Sequence, residues 1–211
     1  MMAEVVDPDH ALVARGLSSL AIEVTENQVL QLLELASLLE LWSGRMNLTG
    51  HRDRDAILRR LVLEAAALSA ALPASPTLVD LGSGAGFPGL PIAILRPGCS
   101  VTLVESRERR HHFQRTAIRT LGLENVEALR SRIEDRPRGY GMVTAQALAA
   151  ADRALELMVP WVEPGGWIAL PGTDAASQAL DHPDLEPAGC RFYRSPGGGP
   201  RRSVWLARRA R

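Results

Sequence analysis

The stretch LVDLGSGAGFPGLP (residues 78–91) decides the fold. TLVDL (77–81) is a short apolar, β-branched run, and PIAIL follows the glycines with helical character, so the chain passes from a strand through glycine into a helix. Read from Gly84, the stretch spells G-x-G-x-x-G through Gly86 and Gly89, the fingerprint of a dinucleotide turn. Read from Asp80, it spells D-x-G-x-G-x-G. In either reading the missing side chains let the backbone turn sharply at the carboxyl edge of a sheet and let a ligand approach it closely. A tight strand-to-helix turn without a ligand is the plain alternative.

Two residues separate the ligand classes. A pyrophosphate needs free N–H groups at the first turn of the following helix. Pro88, at the helix start, has none. Asp80 adds a carboxylate near the turn, which repels phosphate and suits a ligand carrying an ammonium and a sulfonium. S-adenosylmethionine is such a ligand, a nucleoside joined to an amino acid without phosphate. Glu105, 19 residues past Gly86, ends the next strand, where a carboxylate can accept from both ribose hydroxyls. Dehydrogenases keep an acid there too, and Glu105 can equally cap the helix that begins at RERR.

Outward from this turn the pattern of strand, turn and helix repeats. SVTLVE (100–105) is the second strand, followed by helical RERRHHFQRTAIRTLGL; NVEAL (125–129) and GMVTAQ (141–146) are the third and fourth strands. ADRALELMVPWV is a helix closed by Pro164 and Gly165, and WIALP is the fifth strand. This alternation predicts an α/β fold, a parallel sheet wrapped by helices. CRFYRS and SVWLARR, joined by PGGGPRR, predict a terminal antiparallel hairpin.

On the other side, residues 11–72 read as helix throughout and PASP (73–76) as a boundary. The expected organisation is a helical extension over 1–72 packed on a cofactor-binding domain over 73–211. Thr25 and Gln28 form a capping box. In VLQLLELASLLELW the polar residues Gln31, Glu34, Ser37 and Glu40 recur every third place, a stripe that winds around a helix needing apolar contact on most sides. Gly44 stops this helix, and Asp53 or Asp55 caps another over 56–71.

Composition bounds the rest. With 211 residues, 46% of them hydrophobic, a sizeable core is available. No run reaches the eighteen or so apolar residues of a membrane span, and the start, MMAEVVDPDH, is acidic where a targeting peptide is basic, so the expectation is a cytoplasmic chain with no membrane partner. Cys99 and Cys190 lack ligand or disulfide spacing, and adjacent His111 and His112 diverge on a helix, so no metal is expected. All 24 basic residues are arginine, and the net charge is zero.

The segments WSGRMNLTG (42–50), DLGSGAGFPGLPIAI, VTLVESRERRHHF, LGLENVE, the SRIED loop, VTAQALA, WVEPGGWIAL and RRSVWLARR run in order over nearly the whole chain. In this the chain resembles the ribosomal RNA small subunit methyltransferase G family, also called glucose-inhibited division protein B. The pairing of M-N-L-T with G-x-G-A-G-F-P-G carries the resemblance; an unrelated Rossmann-like methyltransferase would share only the glycines. It implies a class I methyltransferase sheet, S-adenosylmethionine as cofactor, and methylation of a guanine N7 in small-subunit ribosomal RNA; the expected partner is that RNA or an assembling subunit, and the expected state a monomer. Carried over by position, the cofactor contacts are Gly82 and Phe87 in the turn, Glu105 at the ribose, and Ile133 with Glu134 beside the adenine.

With Asp80, Ser83, Gly84, Gly86 and Gln146 added, these make the expected cofactor set. Arg45, Asn47, Arg109 and Gln146 are the candidates for positioning the substrate. Arg107, Arg109, Arg110, Arg115 and Arg119 cluster after the second strand as further RNA candidates.

The chain departs from the family at several polar positions: Gln146 stands where an arginine is usual, Pro171 for a lysine, Gly141 for an aspartate, and RLVLE (60–64) for a motif with His and Asp-Ser. These point to a divergent member, and keep two other readings open: a methyltransferase for a small molecule or protein, and a weakly catalytic or retargeted binding protein. The reaction itself asks little, because guanine N7 already presents a lone pair and no base has to remove a proton first.

Overall fold

A computed structural model describes residues 7–44, 46–51, 53–135, 137–146, 148, 150–173 and 182–211. Strands β1 (Thr77–Leu81), β2 (Ser100–Glu105), β3 (Val126–Arg130), β4 (Tyr140–Thr144) and β5 (Val162–Thr173) pair in parallel. The sheet closes with β6 (Leu185–Arg194) and β7 (Arg201–Arg209) in the order β3-β2-β1-β4-β5-β7-β6, with β7 antiparallel to both neighbours. The hairpin expected from PGGGPRR is therefore present, with its second strand against the parallel sheet and its first at the edge. The order in which successive strands are added reverses between β1 and β4, and ligands of such sheets bind outside the carboxyl ends of the strands at that switch point.

Helices α1 (Pro8–Ser19) and α2 (Glu26–Ser43) precede the sheet. The capping box forms as expected, with the Gln28 N–H donating to Thr25 Oγ1 at 3.3 Å and the Thr25 N–H to Gln28 Oε1 at 2.9 Å. The polar stripe has a tertiary use as well. The Gln28 amide donates to the Ile94 carbonyl and the Gln31 amide to the Leu121 carbonyl, each at 2.7 Å, so α2 satisfies carbonyls at the ends of two helices of the sheet layer. Its apolar residues Leu32, Leu35 and Leu39 are fully buried in the same cluster as Leu78, Leu90 and Leu103.

The helix expected over 56–71 is continuous but not uniform: α3 (Arg54–Ile57) passes through a π-helical stretch (Leu58–Val62) into α4 (Leu63–Ala71). Asp53 caps it, accepting from the Ala56 N–H at 2.8 Å, while Asp55 pairs with Arg59. Helix α5 (Gly89–Leu95) follows β1, α6 (Glu108–Leu121) follows β2, and α7 (Ala151–Met158) runs into a 3₁₀ turn, Val159–Trp161.

Three expectations need correction. Pro164 and Gly165 do not lie between a helix and the fifth strand but inside β5, where the register shifts between the Tyr140 and Met142 pairings. An irregular segment leaves proline's missing donor without a ladder partner to disappoint, and Gly165, at φ +78°, takes the turn. The fourth strand stops at Thr144, so Gln146 sits in the loop beyond it. Pro88 caps α5, and Gly89 is the first helical residue.

Candidate active site

The glycine turn is held from below. The Gly82 and Ser83 N–H groups both donate to the Val104 carbonyl, at 2.9 and 3.0 Å, strapping the turn to β2. Gln114 on α6, fully buried, donates to Ser83 Oγ and to the Gly84 carbonyl, each at 2.8 Å. Gly82 has φ +70°, and a Cβ there would lie 2.9 Å from Leu148 Cδ1 across the opening. Only glycine meets both conditions without strain.

Beside this turn lies an open cleft of about 420 Å³. Gly82, Glu105, Arg107 and Arg110 line one part of it, and Ser131, Ile133, Glu134 and Leu148 the other. Glu105 serves both functions the sequence allowed. Its Oε1 accepts from the Arg107 N–H at 2.8 Å, capping the start of α6, while Oε2 lies 3.6 Å from Arg110 Nη1 and faces the cleft. The Ile133 loop is pinned by Trp161, whose Nε1 donates to the Ile133 carbonyl at 2.9 Å.

Asp80 has a different role from the one its charge suggested. It is fully buried and does not line the cleft; its Oδ2 accepts from the Gly89 N–H at 3.0 Å. Burial pushes its carboxyl up to about 7, the Gly89 hydrogen bond opposing this and the nearby Glu105 charge adding to it. The consequence for ligand choice is sharper than the sequence argument. Of the first donors of α5, Gly89 is taken by Asp80, Leu90 donates to the Gly86 carbonyl at 2.7 Å, and the following Pro91 has no N–H. A pyrophosphate would find no free donor at this helix start.

Of the expected cofactor set, the structure therefore brings Gly82, Glu105, Ile133 and Glu134 to one cleft. Ser83, Gly84 and Gly86 build the turn behind it. Phe87 and Gln146 instead line a second, narrow pocket, with Arg60, Glu64 and Pro88. Glu64 there is nearly buried, and its Oε1 lies 3.2 Å from Arg202 Nε on β7, an ion pair without hydrogen-bond alignment.

Arg109 is exposed on α6 away from the cleft lining, Asn47 is exposed in the loop after α2, and Arg45 lies outside the described residues. Gln114 and Trp161, which hold the turn and the loop in place, carry no signal in the sequence. Each reads there as one more residue of an amphipathic or apolar run. Gly141 has a structural explanation: a Cβ would lie 2.6 Å from Ser75 Oγ and 3.4 Å from Glu163 Oε1, so the aspartate usual in the family has neither room nor a tolerant neighbour.

The sheet order, the glycine turn at the switch point and the acid ending β2 define a Rossmann-like class I methyltransferase. Solved structures share the fold: a SAM-dependent methyltransferase from Aquifex aeolicus (TM-score 0.53, 18% identity, 74% of this chain and 93% of that one) and M. jannaschii TYW2 in complex with AdoMet (TM-score 0.53, 13% identity, 69% and 73%). The model of the family described as rRNA small subunit methyltransferase G matches residues 28–186. A ribosomal RNA small subunit methyltransferase G from Chromohalobacter salexigens is 36% identical over 198 residues, covering 92% of this chain and 95% of its own. One from Myxococcus xanthus is 34% identical over 204 residues, covering 90% and 93%. The chain belongs to the rRNA small subunit methyltransferase G family.

Proposed function

We propose that the protein transfers the methyl group of S-adenosylmethionine to N7 of a guanine in small-subunit (16S) ribosomal RNA, working as a cytoplasmic monomer on free RNA or on an assembling subunit. The observation that carries the cofactor half is the start of α5, whose donors are occupied by Asp80 and the Gly86 carbonyl beside an open cleft ending at Glu105. The substrate half rests on family membership, since both relatives described above are named for small-subunit ribosomal RNA.

The cleft suits a nucleoside joined to an amino acid. Glu105 presents a carboxylate oxygen for ribose hydroxyls, Ile133 and Leu148 offer apolar contact for a base, and Gly82 leaves bare backbone at the floor. When bound, S-adenosylmethionine supplies a methyl group activated by its sulfonium. Attack by a guanine N7 lone pair requires no proton removal, so the chain's contribution is to hold the two reactants in line. Positioning of this kind accounts for roughly 7–11 kcal/mol of barrier in well-oriented reactions. Gln146, in the loop after β4, and Phe87 line the second pocket and are the candidates for holding the base.

The test is transfer of tritiated methyl to small-subunit RNA from a strain lacking the gene, followed by mapping of the base. Label on one guanine N7 is expected; tight cofactor binding with no label on RNA would overturn the substrate assignment. Gly82→Val and Glu105→Ala should each weaken S-adenosylmethionine binding about tenfold or more in calorimetry, the loss of a charged hydrogen bond being worth about 1.5–3 kcal/mol. Unchanged affinity in both would remove the cleft as the cofactor site.

A further inference from the structure

Phe87 and Gln146 share their pocket with a buried charge. Glu64 of α4 lines it and is only 8% exposed. A carboxylate this deep needs a partner, and the one it has is imperfect. Glu64 Oε1 lies 3.2 Å from Arg202 Nε of β7, but the pair is not aligned as a hydrogen bond, and Arg202 Nε is buried without a hydrogen-bond partner among the described residues. An ion pair that served only to fasten α4 to β7 would gain from alignment, because the cost of desolvation is offset only when the geometry is good. An ionised carboxylate has about four acceptor sites, and this contact saturates none of them.

The pocket, about 20 Å³, has room for a water molecule or for the polar edge of a base, not for a whole purine. Leu61, Ala65 and Leu68 line it beside Glu64. A donor that enters therefore meets one carboxylate among apolar groups, where a hydrogen bond is electrostatically stronger than in water. Among the four RNA bases only guanine carries two adjacent donors, N1–H and the 2-amino group, on the edge that pairs in a duplex. Adenine, cytosine and uracil each place an acceptor beside their donor there, and an acceptor-only carboxylate repels it.

The pocket is also in the right place. Gln146, which lines it, and Leu148, which lines the cofactor cleft, are two residues apart in one loop, at most about 7 Å of chain. The donor edge and N7 lie on opposite sides of a purine, so a guanine whose edge enters the pocket turns N7 outward and can present it to the adjoining cleft. Charge adds a second consequence. In the transfer the N7 lone pair forms the new N–CH3 bond, the C–S bond breaks with its electrons returning to sulfur, and the positive charge passes from the sulfonium to the purine. That charge spreads to N1–H and the 2-amino group. Their hydrogen bonds to a carboxylate strengthen as the reaction proceeds, which lowers the barrier rather than merely tightening binding.

We infer that Glu64, held by Arg202, is the residue that selects guanine: its carboxylate accepts from N1–H and the 2-amino group of the target base and steadies the charge that methylation places on the ring. This rests on the guanine-N7 reading above. Arg202 acts through Glu64 and is a positioning residue.

Single-turnover methyl transfer to small-subunit RNA carrying guanosine or inosine at the labelled position tests it, inosine lacking only the 2-amino group. Wild type should transfer to inosine about 10- to 100-fold more slowly, the span of one hydrogen bond to a charged group. Glu64→Gln, whose amide offers one acceptor and one donor at that place, should be slower on guanosine by a similar factor and should distinguish the two substrates by about threefold or less, with S-adenosylmethionine affinity unchanged. If loss of the charge unsettles the fold, E64Q/R202M removes both partners of the pair and gives the same reading on a stable background. Wild-type indifference to inosine, full discrimination retained by the variants, or an equal loss on both substrates that follows melting temperature and cofactor affinity overturns the inference and leaves Glu64 a support of the fold. Where the wild type labels guanine N7, those outcomes leave the function standing. Label on another base, or on no RNA, is read from the wild type alone and removes the function and the inference together.

Discussion

Asp80 shows how one buried carboxylate shapes both ligand choice and stability. Its carboxyl is raised to about 7, chiefly by burial, against 3.8 for the free side chain. Between these values the unfolded chain has released the proton and the folded chain still holds it. Stability therefore falls as pH rises from about 4 to about 7 and levels off above, a penalty on the order of 4 kcal/mol when fully developed. Asp80→Asn keeps an acceptor for the Gly89 N–H and removes the ionisation. Its stability relative to wild type should rise between pH 5 and pH 8, as read by urea denaturation without cofactor; parallel curves would show that Asp80 does not ionise in this window.

At the scale of elements, the glycine turn is precise because α6 holds it. Gln114 bridges the two through hydrogen bonds to Ser83 Oγ and the Gly84 carbonyl. Gln114→Leu leaves that part-buried carbonyl without this partner, at a cost of about 1 kcal/mol, and frees the turn to move. We expect a lower melting temperature and S-adenosylmethionine affinity reduced severalfold, measured by calorimetry under conditions where the variant is fully folded. Wild-type affinity in a destabilised variant would assign Gln114 to packing alone. The same two elements explain why Glu105 was ambiguous as a sequence feature: the end of β2 adjoins both the cleft and the cap of α6, and its two oxygens divide the work.

Across the whole molecule, the N-terminal helices and the sheet share one core. Leu32, Leu35 and Leu39 of α2 belong to the same buried cluster as β1, β2 and α5. Arg96 binds the two layers together by donating to Ser69 Oγ at 3.0 Å and to the Pro73 carbonyl at 2.9 Å, and also to the Ser69 carbonyl. The boundary at PASP is thus one of sequence pattern, and we propose that it does not divide independently folding units. A chain starting at residue 73 would expose the apolar faces of β1 and α5. It should lack a cooperative thermal transition, whereas the full chain unfolds in one; a separate second transition would restore the extension as a domain.

The sequence by itself determined the sheet, because a short apolar, β-branched run giving way to glycine and then to helical spacing marks a strand buried on both faces and the turn after it, with no distant partner needed. TLVDL and SVTLVE match β1 and β2 residue for residue for that reason. Where backbone irregularity absorbs a breaker, as at Pro164 and Gly165 within β5, local rules misread the element. It also supplied Gly82, Glu105, Ile133 and Glu134, whose types follow from ligand chemistry or the family motif. Tertiary structure alone decided which face each group serves. Asp80 points into the core because residues alternate sides along a strand and its neighbour on that side is the start of α5. Phe87 and Gln146 line a pocket separate from the cleft, and Gln114 and Trp161 acquire their roles only from partners 28 or more residues away.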